Sequence, residues 1–281
     1  MVHVDDRRQQ RTRMATRITR FRSCYGLGPG GCHAIFQDLR TTNIENARIA
    51  RPNIFYFLVA MNWLASYREE AEMACIFETD EKTLRNHIKK YVDAIGNLYR
   101  DKIKLPDLSQ QHEIFILSVD GVHFRINEPR RRPNAAWCSY KFNQAGLSYE
   151  IGLSIYDSHV VWISGPYRAS THDLTIYQQP QGLKSKIPPG KRVIADRGYA
   201  GEDTAGSFTT LAIRNEFDSA QVRAFKRRVR GRHESFNARL KNYKILSERF
   251  RHGVDRHASV FHAVCVCCIY DMEDDHPLFD V

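Results

Sequence analysis

The chain of 281 residues carries 42 Lys and Arg against 32 Asp and Glu, a formal charge of +10 that points to a polyanionic partner. An apolar fraction of 42% excludes a chain too polar to build a core, and no apolar run reaches the length that spans a bilayer. Seven cysteines without framework spacing fit a reducing compartment rather than a secreted disulfide scaffold, and the first residues lack the apolar segment of a secretory signal.

Residues 1 to 23 hold Arg7, Arg8, Arg11, Arg13, Arg17, Arg20 and Arg22 with little apolar material, which reads as a mobile basic arm that can lie on phosphates. An organelle transit peptide is the competing reading, and Asp5 and Asp6 weigh against it. Gly26 to Gly31 reads as a flexible break, so arm and linker together take residues 1–43. From Pro52 the pattern turns helical, with Ile54, Phe55, Leu58, Val59, Asn62 and Trp63 along one side. A short helix follows over Arg68–Phe77, and a third runs from Glu81 to about Tyr99 with Asp80 as its N-cap. Its stripe is Leu84, Ile88, Val92, Ile95 and Leu98, and Lys82, Arg85, Asn86, Lys89 and Lys90 stay outside. Two helices joined by a tight turn, the second basic on its outer face, suit a helix-turn-helix over residues 44–105. A plain helical bundle with a solvated basic face fits the same pattern.

Pro106 closes this part, and residues 112–281 read as a second domain. Ile114–Val119 is a continuous apolar run, the signature of a strand buried on both faces, and Asp120-Gly121 is expected to end it. An Arg-rich loop, Glu128–Pro133, comes next. Leu147–Tyr156 and Val160–Ser164 read as two strands joined at Asp157-Ser158. Thr171 can cap a helix through Gln178, and Arg192–Ala195 is a short buried strand ending at Asp196. Phe225–Arg251 reads as one amphipathic helix with Phe225, Val229, Phe236, Leu240 and Tyr243 inward. Arg227, Arg230, Ala238 and Lys241 surround Glu234 on its other face. A last apolar helix and an acidic tail, Asp271–Asp280, complete a mixed α/β layer fold. His262 with Cys265, Cys267 and Cys268 lies in that apolar helix, so these read as small core residues rather than a zinc site.

Asp120 and Asp196 both stand where a buried strand is expected to end, with glycine within two residues. A strand-terminating turn explains each of them singly, and an ordinary i,i+4 surface pair explains Glu234. Taken together, two carboxylates on neighbouring strands and one on a helix over them make an oxygen-only site, the kind that Mg²⁺ or Mn²⁺ prefers. Arg130, Arg131, Arg132, Arg197, Arg227, Arg230, Arg232, Arg239 and Lys241 could neutralise phosphates nearby, or form a solvated face. Trp137 and Tyr140 could stack on an unpaired base, although a core role is the expectation for both.

LSVDGVHF, SGPYRASTHDLTIY, VIADRGYAGED and RRVRGRHESFNARLKNYKIL resemble, in order and spacing, the blocks of DDE-superfamily endonucleases, the transposase catalytic domains of the PIF/Harbinger-like type. The resemblance covers Ile114 to Arg251. It implies an RNase H-like catalytic domain in which Asp120, Asp196 and Glu234 hold catalytic Mg²⁺ or Mn²⁺, with His172 and Asp173 as supporting residues. It also implies cleavage of DNA phosphodiesters by a two-metal mechanism, with strand transfer as an extension. Double-stranded DNA is the implied partner, met by Lys82, Arg85, Asn86, Lys89, Arg131, Arg230 and Lys241. A homodimer and a separate DNA-binding partner protein are compatible with it, as is residence in the nucleus of a eukaryotic host or otherwise in the cytoplasm. The alternatives are a transposase-derived DNA-binding protein without activity and an RNase H-type hydrolase acting on RNA.

Overall fold

The computed structural model describes residues 2–129, 135–201, 210–214 and 216–281, with side chains from residue 11 onward. The chain divides into two units, the first made of Met1–Tyr99, Leu240–Ile245 and Ser259–His276, the second of Arg100–Arg239, Leu246–Ala258 and Pro277–Val281.

The first unit is all helical: α1 (Val2–Tyr25), α2 (Pro29–Thr41), α3 (Ile54–Ser66), α4 (Glu70–Ile76), α5 (Glu81–Asn97), and most of the chain's last helix, His257–Glu273, numbered α10 in chain order. The segment expected as a basic arm is therefore a helix. Arg, Gln, Met and Ala are good helix formers even without an apolar stripe. Its end is fixed where Arg22 meets Asp271 at 2.8 Å. The glycine-rich break shrinks to a turn, because Gly26 takes φ +86° and Pro29 opens α2 in its first turn. Cys32, Ile35 and Leu39 of α2 are buried, so this stretch is core rather than linker.

The one-sided stripe expected for α3 is also corrected. Ile54 and Phe55 are exposed, while Phe57, Val59, Ala60, Met61, Trp63, Leu64 and Ala65 are buried. The helix packs against both α1 and α5, so nearly its whole circumference is covered. In α5 the expected cap is present: Asp80 accepts from Thr83 N at 2.9 Å. Leu84, Ile88, Val92, Ile95 and Leu98 are buried as expected, together with Tyr91 and Ala94.

In the second unit the single-turn α6 (Tyr99–Lys102) leads to a mixed six-stranded sheet. The strands are β1 (Phe115–Arg125), β2 (Cys138–Ser139), β3 (Gln144–Ser154), β4 (Val160–Arg168), β5 (Arg192–Ile194) and β6 (Leu211–Ala212). α7 (Asp173–Tyr177), α8 (Ala220–Asn242) and α9 (Lys244–Ser247) complete it. The order is β2-β3-β1-β5-β6, with β4 also on β3; β1, β3 and β4 are antiparallel, and β1, β5 and β6 are parallel. This mixed α/β layer is consistent with the RNase H-like expectation.

Five expected boundaries move. β1 does not close at Asp120-Gly121 but continues to Arg125, because Val122, His123 and Phe124 keep pairing with Tyr149, Ser148 and Leu147. α7 is capped by His172 rather than Thr171 and ends at Tyr177. The basic helix starts five residues earlier than expected, at Ala220, and stops at Asn242. Beyond α9 the chain is extended, since Phe250 bridges Ile126 and exchanges backbone hydrogen bonds with Arg125 and Asn127. The two-residue strands β2 and β6 carry too little pattern to be read from sequence.

Val193 packs with Leu117, Val119, Tyr177 and Tyr199 on one face of the sheet, and Ile194 packs with Ala212 and Val229 of α8 on the other. Among the described residues no helix is long and apolar enough to cross a membrane.

Candidate active site

The parallel pair β1 and β5 sets two carboxylates in matching positions. Ser118 lies opposite Ile194, and Asp120 and Asp196 each follow two residues later, just where β5 has ended. Asp120 is thus inside its strand, yet on the β5 side its edge is open. Side chains alternate along a strand, so Ser118 and Asp120 share the face that α8 covers. The His233 ring meets Ser118 Oγ through Nε2 at 2.8 Å, and one turn on Asn237 Nδ2 donates to Asp120 Oδ2 at 3.1 Å. His233 is 3% exposed, and burial pulls its pKa below the usual histidine value. The ring is therefore neutral near pH 7.

Asp196 Oδ1 accepts from Gly198 N at 2.8 Å and caps the single turn Arg197–Tyr199. The turn role weighed for this residue is real, and it occupies one of the two carboxylate oxygens.

The third carboxylate of the cluster is Asp173, the first residue of α7, which arrives from the opposite face of the sheet. A methyl group on Gly198 would stand 2.9 Å from Asp196 Oδ1 and 3.0 Å from Asp173 Oδ2, and one on Gly121 would collide with Asp173 Oδ1. Both glycines are needed to let the carboxylates approach. Burial raises the Asp173 pKa; Asp120 and Asp196 push the same way, against Lys141 and His172. Asp173 Oδ1 is buried without a hydrogen-bond partner among the described residues. An orphaned carboxylate oxygen amid other carboxylates suits a hard cation, and the donor set is oxygen only.

Glu234 is placed differently. It is exposed on α8, three residues before Asn237, and has no partner among the described residues. Of the expected trio, Asp120 and Asp196 stand at the same end of the β1–β5 pair, with Asp173 beside them, and Glu234 faces solvent on the helix that holds Asp120. Among the described residues no three His, Cys, Asp or Glu side chains form a ready-made metal cage.

Sequence reasoning missed Asn237, His233, Lys141 and Glu150. Lys141 Nζ donates to Gly121 O at 2.7 Å, and its charge holds the Asp173 pKa down. Glu150, opposite Gly121 on β3, is 1% exposed and accepts from Trp162 Nε1 at 2.9 Å. Burial lifts its pKa to about 7. The available signal was a lone acid inside the apolar run LSYEIGLSIY. Tyr140 corrects the core expectation: it is 64% exposed, and partial burial with Asp173, Asp196 and Asp120 nearby pushes its hydroxyl up to about 12. Trp137 is half-buried with the Arg168 guanidinium 5.0 Å over its ring.

Of the candidate DNA contacts, Lys82, Asn86 and Lys89 are exposed on α5, and Arg230 and Lys241 on α8. Arg85 is exposed but grips Glu70 through Nε and a terminal nitrogen, so its charge is already answered. Arg131, with Arg130 and Arg132, lies outside the described residues. Arg197 and Arg227 are exposed. Arg232 is the clear correction: it is 2% exposed and donates to the carbonyls of Ile155 and Asp157, which removes it from any phosphate-facing surface. Arg239 donates to Pro277 O at 3.1 Å.

Searches among curated proteins and among solved structures returned no match. Residues 119–269 match a family described as DDE superfamily endonuclease. The match covers more than half of the chain and takes in Asp120, Asp173, Asp196 and Glu234, so the chain belongs to the DDE superfamily endonucleases.

Proposed function

We propose that the protein is a DNA endonuclease of transposase type, PIF/Harbinger-like, that cuts phosphodiester bonds with Mg²⁺ or Mn²⁺ held by Asp120, Asp173 and Asp196. The observation that carries this reading is the meeting of three carboxylates from both faces of the sheet at the open end of the β1–β5 pair, with one buried oxygen left unpaired. Bound divalent ions supply Lewis acidity: they activate a water or a 3′-hydroxyl and stabilise the leaving oxygen. The side chains do the rest. Asn237 fixes the orientation of Asp120, and neutral His233 braces Ser118 beneath it. Lys141 and Gly121 set the depth of Asp173. Glu234, exposed on the same helix, would supply a further carboxylate to the oxygen set. Residues 44–105 act as the helix-turn-helix, presenting Lys82, Asn86 and Lys89 to the duplex, with Arg131 and Lys241 as further contacts. Strand transfer, a homodimeric assembly with or without a DNA-binding partner protein, and residence in the nucleus of a eukaryotic host belong to the same reading.

The test is nicking of supercoiled DNA. Asp120→Asn and Glu234→Gln each abolish Mg²⁺-dependent nicking and keep DNA affinity within about twofold of wild type. Equal nicking by variant and wild type removes these residues from the mechanism. A second reading, a DNA binder without catalysis, draws on the solvent-facing Glu234 and the missing ready-made cage. Calorimetric titration with Mn²⁺ separates the two, since the nuclease binds Mn²⁺ in a manner lost in Asp120→Asn and the binder does not.

A further inference from the structure

One cavity of the second unit is lined by none of the carboxylates of the candidate site. It has a volume of about 250 Å³ and is lined by Arg214, Ala220, Arg223, Ala224, Lys226, Arg227 and Arg230. At roughly 30 Å³ per water that is room for about eight waters, ample for a phosphate with part of its hydration shell. Positions 220, 223, 224, 227 and 230 fall on one face of the first turns of α8, and the two alanines leave the room that the arginines surround. The Lys226 charge is answered by Asp218, 3.0 Å away, and Arg223 donates to Asp218 O at 2.8 Å. Arg214, Arg227 and Arg230 are exposed and have no partner among the described residues. Ser219 Oγ accepts from Val222 N at 3.2 Å, leaving the other amides of the first turn to add their partial positive charge.

We propose that this cavity is a phosphate seat, which grips the DNA backbone two or three nucleotides from the bond that is cut. Arg230 and Arg227 stand four and seven residues before Glu234, or about 6 and 10 Å along the helix at 1.5 Å per residue. A DNA strand advances about 3.4 Å per nucleotide. Those two rises therefore span about two to three steps of a strand that runs along α8 with its scissile phosphate beside Glu234. The assignment rests on the nuclease reading for the identity of its phosphate, although the cavity's cationic chemistry stands without it.

The experiment measures binding of a labelled duplex by fluorescence anisotropy, in metal-free buffer where nothing is cut, as a function of salt. Each phosphate neutralised contributes about 0.9 to the slope of log K against log salt. Arg227→Gln with Arg230→Gln, and separately Arg214→Gln, flatten the slope by about 0.9. Arg228→Gln, an exposed neighbour on α8 that donates instead to Asp280 O and does not line the cavity, leaves it unchanged. A duplex carrying one neutral methylphosphonate two or three nucleotides from the cut reproduces the flattened slope with wild type and flattens no further with the double variant. Equal slopes for wild type and the cavity variants overturn the proposal. So does saturable binding of inorganic phosphate at the cavity with no response to the methylphosphonate, which would make the ligand a free anion. Absence of Mg²⁺-dependent nicking by the wild type, with the slope change intact, would instead strike the nuclease reading alone.

Discussion

At the scale of single residues, the site is a set of carboxylates whose neighbours decide their protonation. Glu150 is the clearest case. Burial lifts its pKa to about 7, against 4.5 for the free group, so the folded chain holds this proton more tightly than the unfolded one. The stability this contributes is complete below pH 4.5 and is lost as the pH rises through 7. Glu150→Gln, which keeps an acceptor for Trp162, should therefore match wild type at pH 4 and exceed it at pH 8 by about 3 kcal/mol, at roughly 1.4 kcal/mol per unit of pKa difference. Denaturant unfolding at the two pH values checks it; a constant difference between variant and wild type would mean that Glu150 is ionised when folded.

At the scale of elements, α8 joins three tasks on three faces. Val229, Phe236 and Leu240 are buried, His233 and Asn237 address β1, and Arg227 and Arg230 face the cationic cavity. Phe236→Ala should cost about 3–5 kcal/mol in denaturant unfolding, whereas Arg230→Gln stays within about 0.5 kcal/mol. The amphipathic period made α8 legible in the sequence, and the continuous apolar run did the same for β1. What was not legible has physical causes. The extension of β1 past Asp120 depends on antiparallel pairing with residues some thirty positions away, and Gly121 looked like a turn because local propensity knows nothing of that partner. The extended stretch beyond α9, where Phe250 joins Ile126, again depends on a distant contact. Asp173 was visible in the sequence only as a supporting residue of the resemblance, beside His172. Its place beside Asp120 and Asp196 depends on the bare backbone at Gly121 and Gly198.

At the scale of the whole molecule, the cysteines divide by packing. Cys24, Cys75 and Cys138 are exposed; Cys32, Cys265, Cys267 and Cys268 are buried and reduced. Burial pushes the Cys32 thiol up to about 12 and raises Cys265 and Cys267 as well, which keeps them protonated and unreactive. An aromatic disulfide reagent should titrate three thiols quickly in the native protein and four more only on denaturation. Seven fast thiols would mean that the α2 and α10 packing is absent in solution. The charge of +10 acts at the same scale: in the proposed reading it would draw the chain to DNA from a distance, and the exposed cations of α5 and α8 would give that attraction an address.

Gly121 carries a consequence for how such a chain can fail. Beyond its carbonyl, which accepts from Lys141, its part is to lack a side chain, so that a carboxylate from the far side of the sheet can lodge against the backbone. One added methyl would evict that carboxylate and leave every acidic residue in the sequence untouched. Extinct and working copies of this protein could thus share the same full set of acids, and what tells them apart would be a single hydrogen kept or lost at a position with no chemistry of its own.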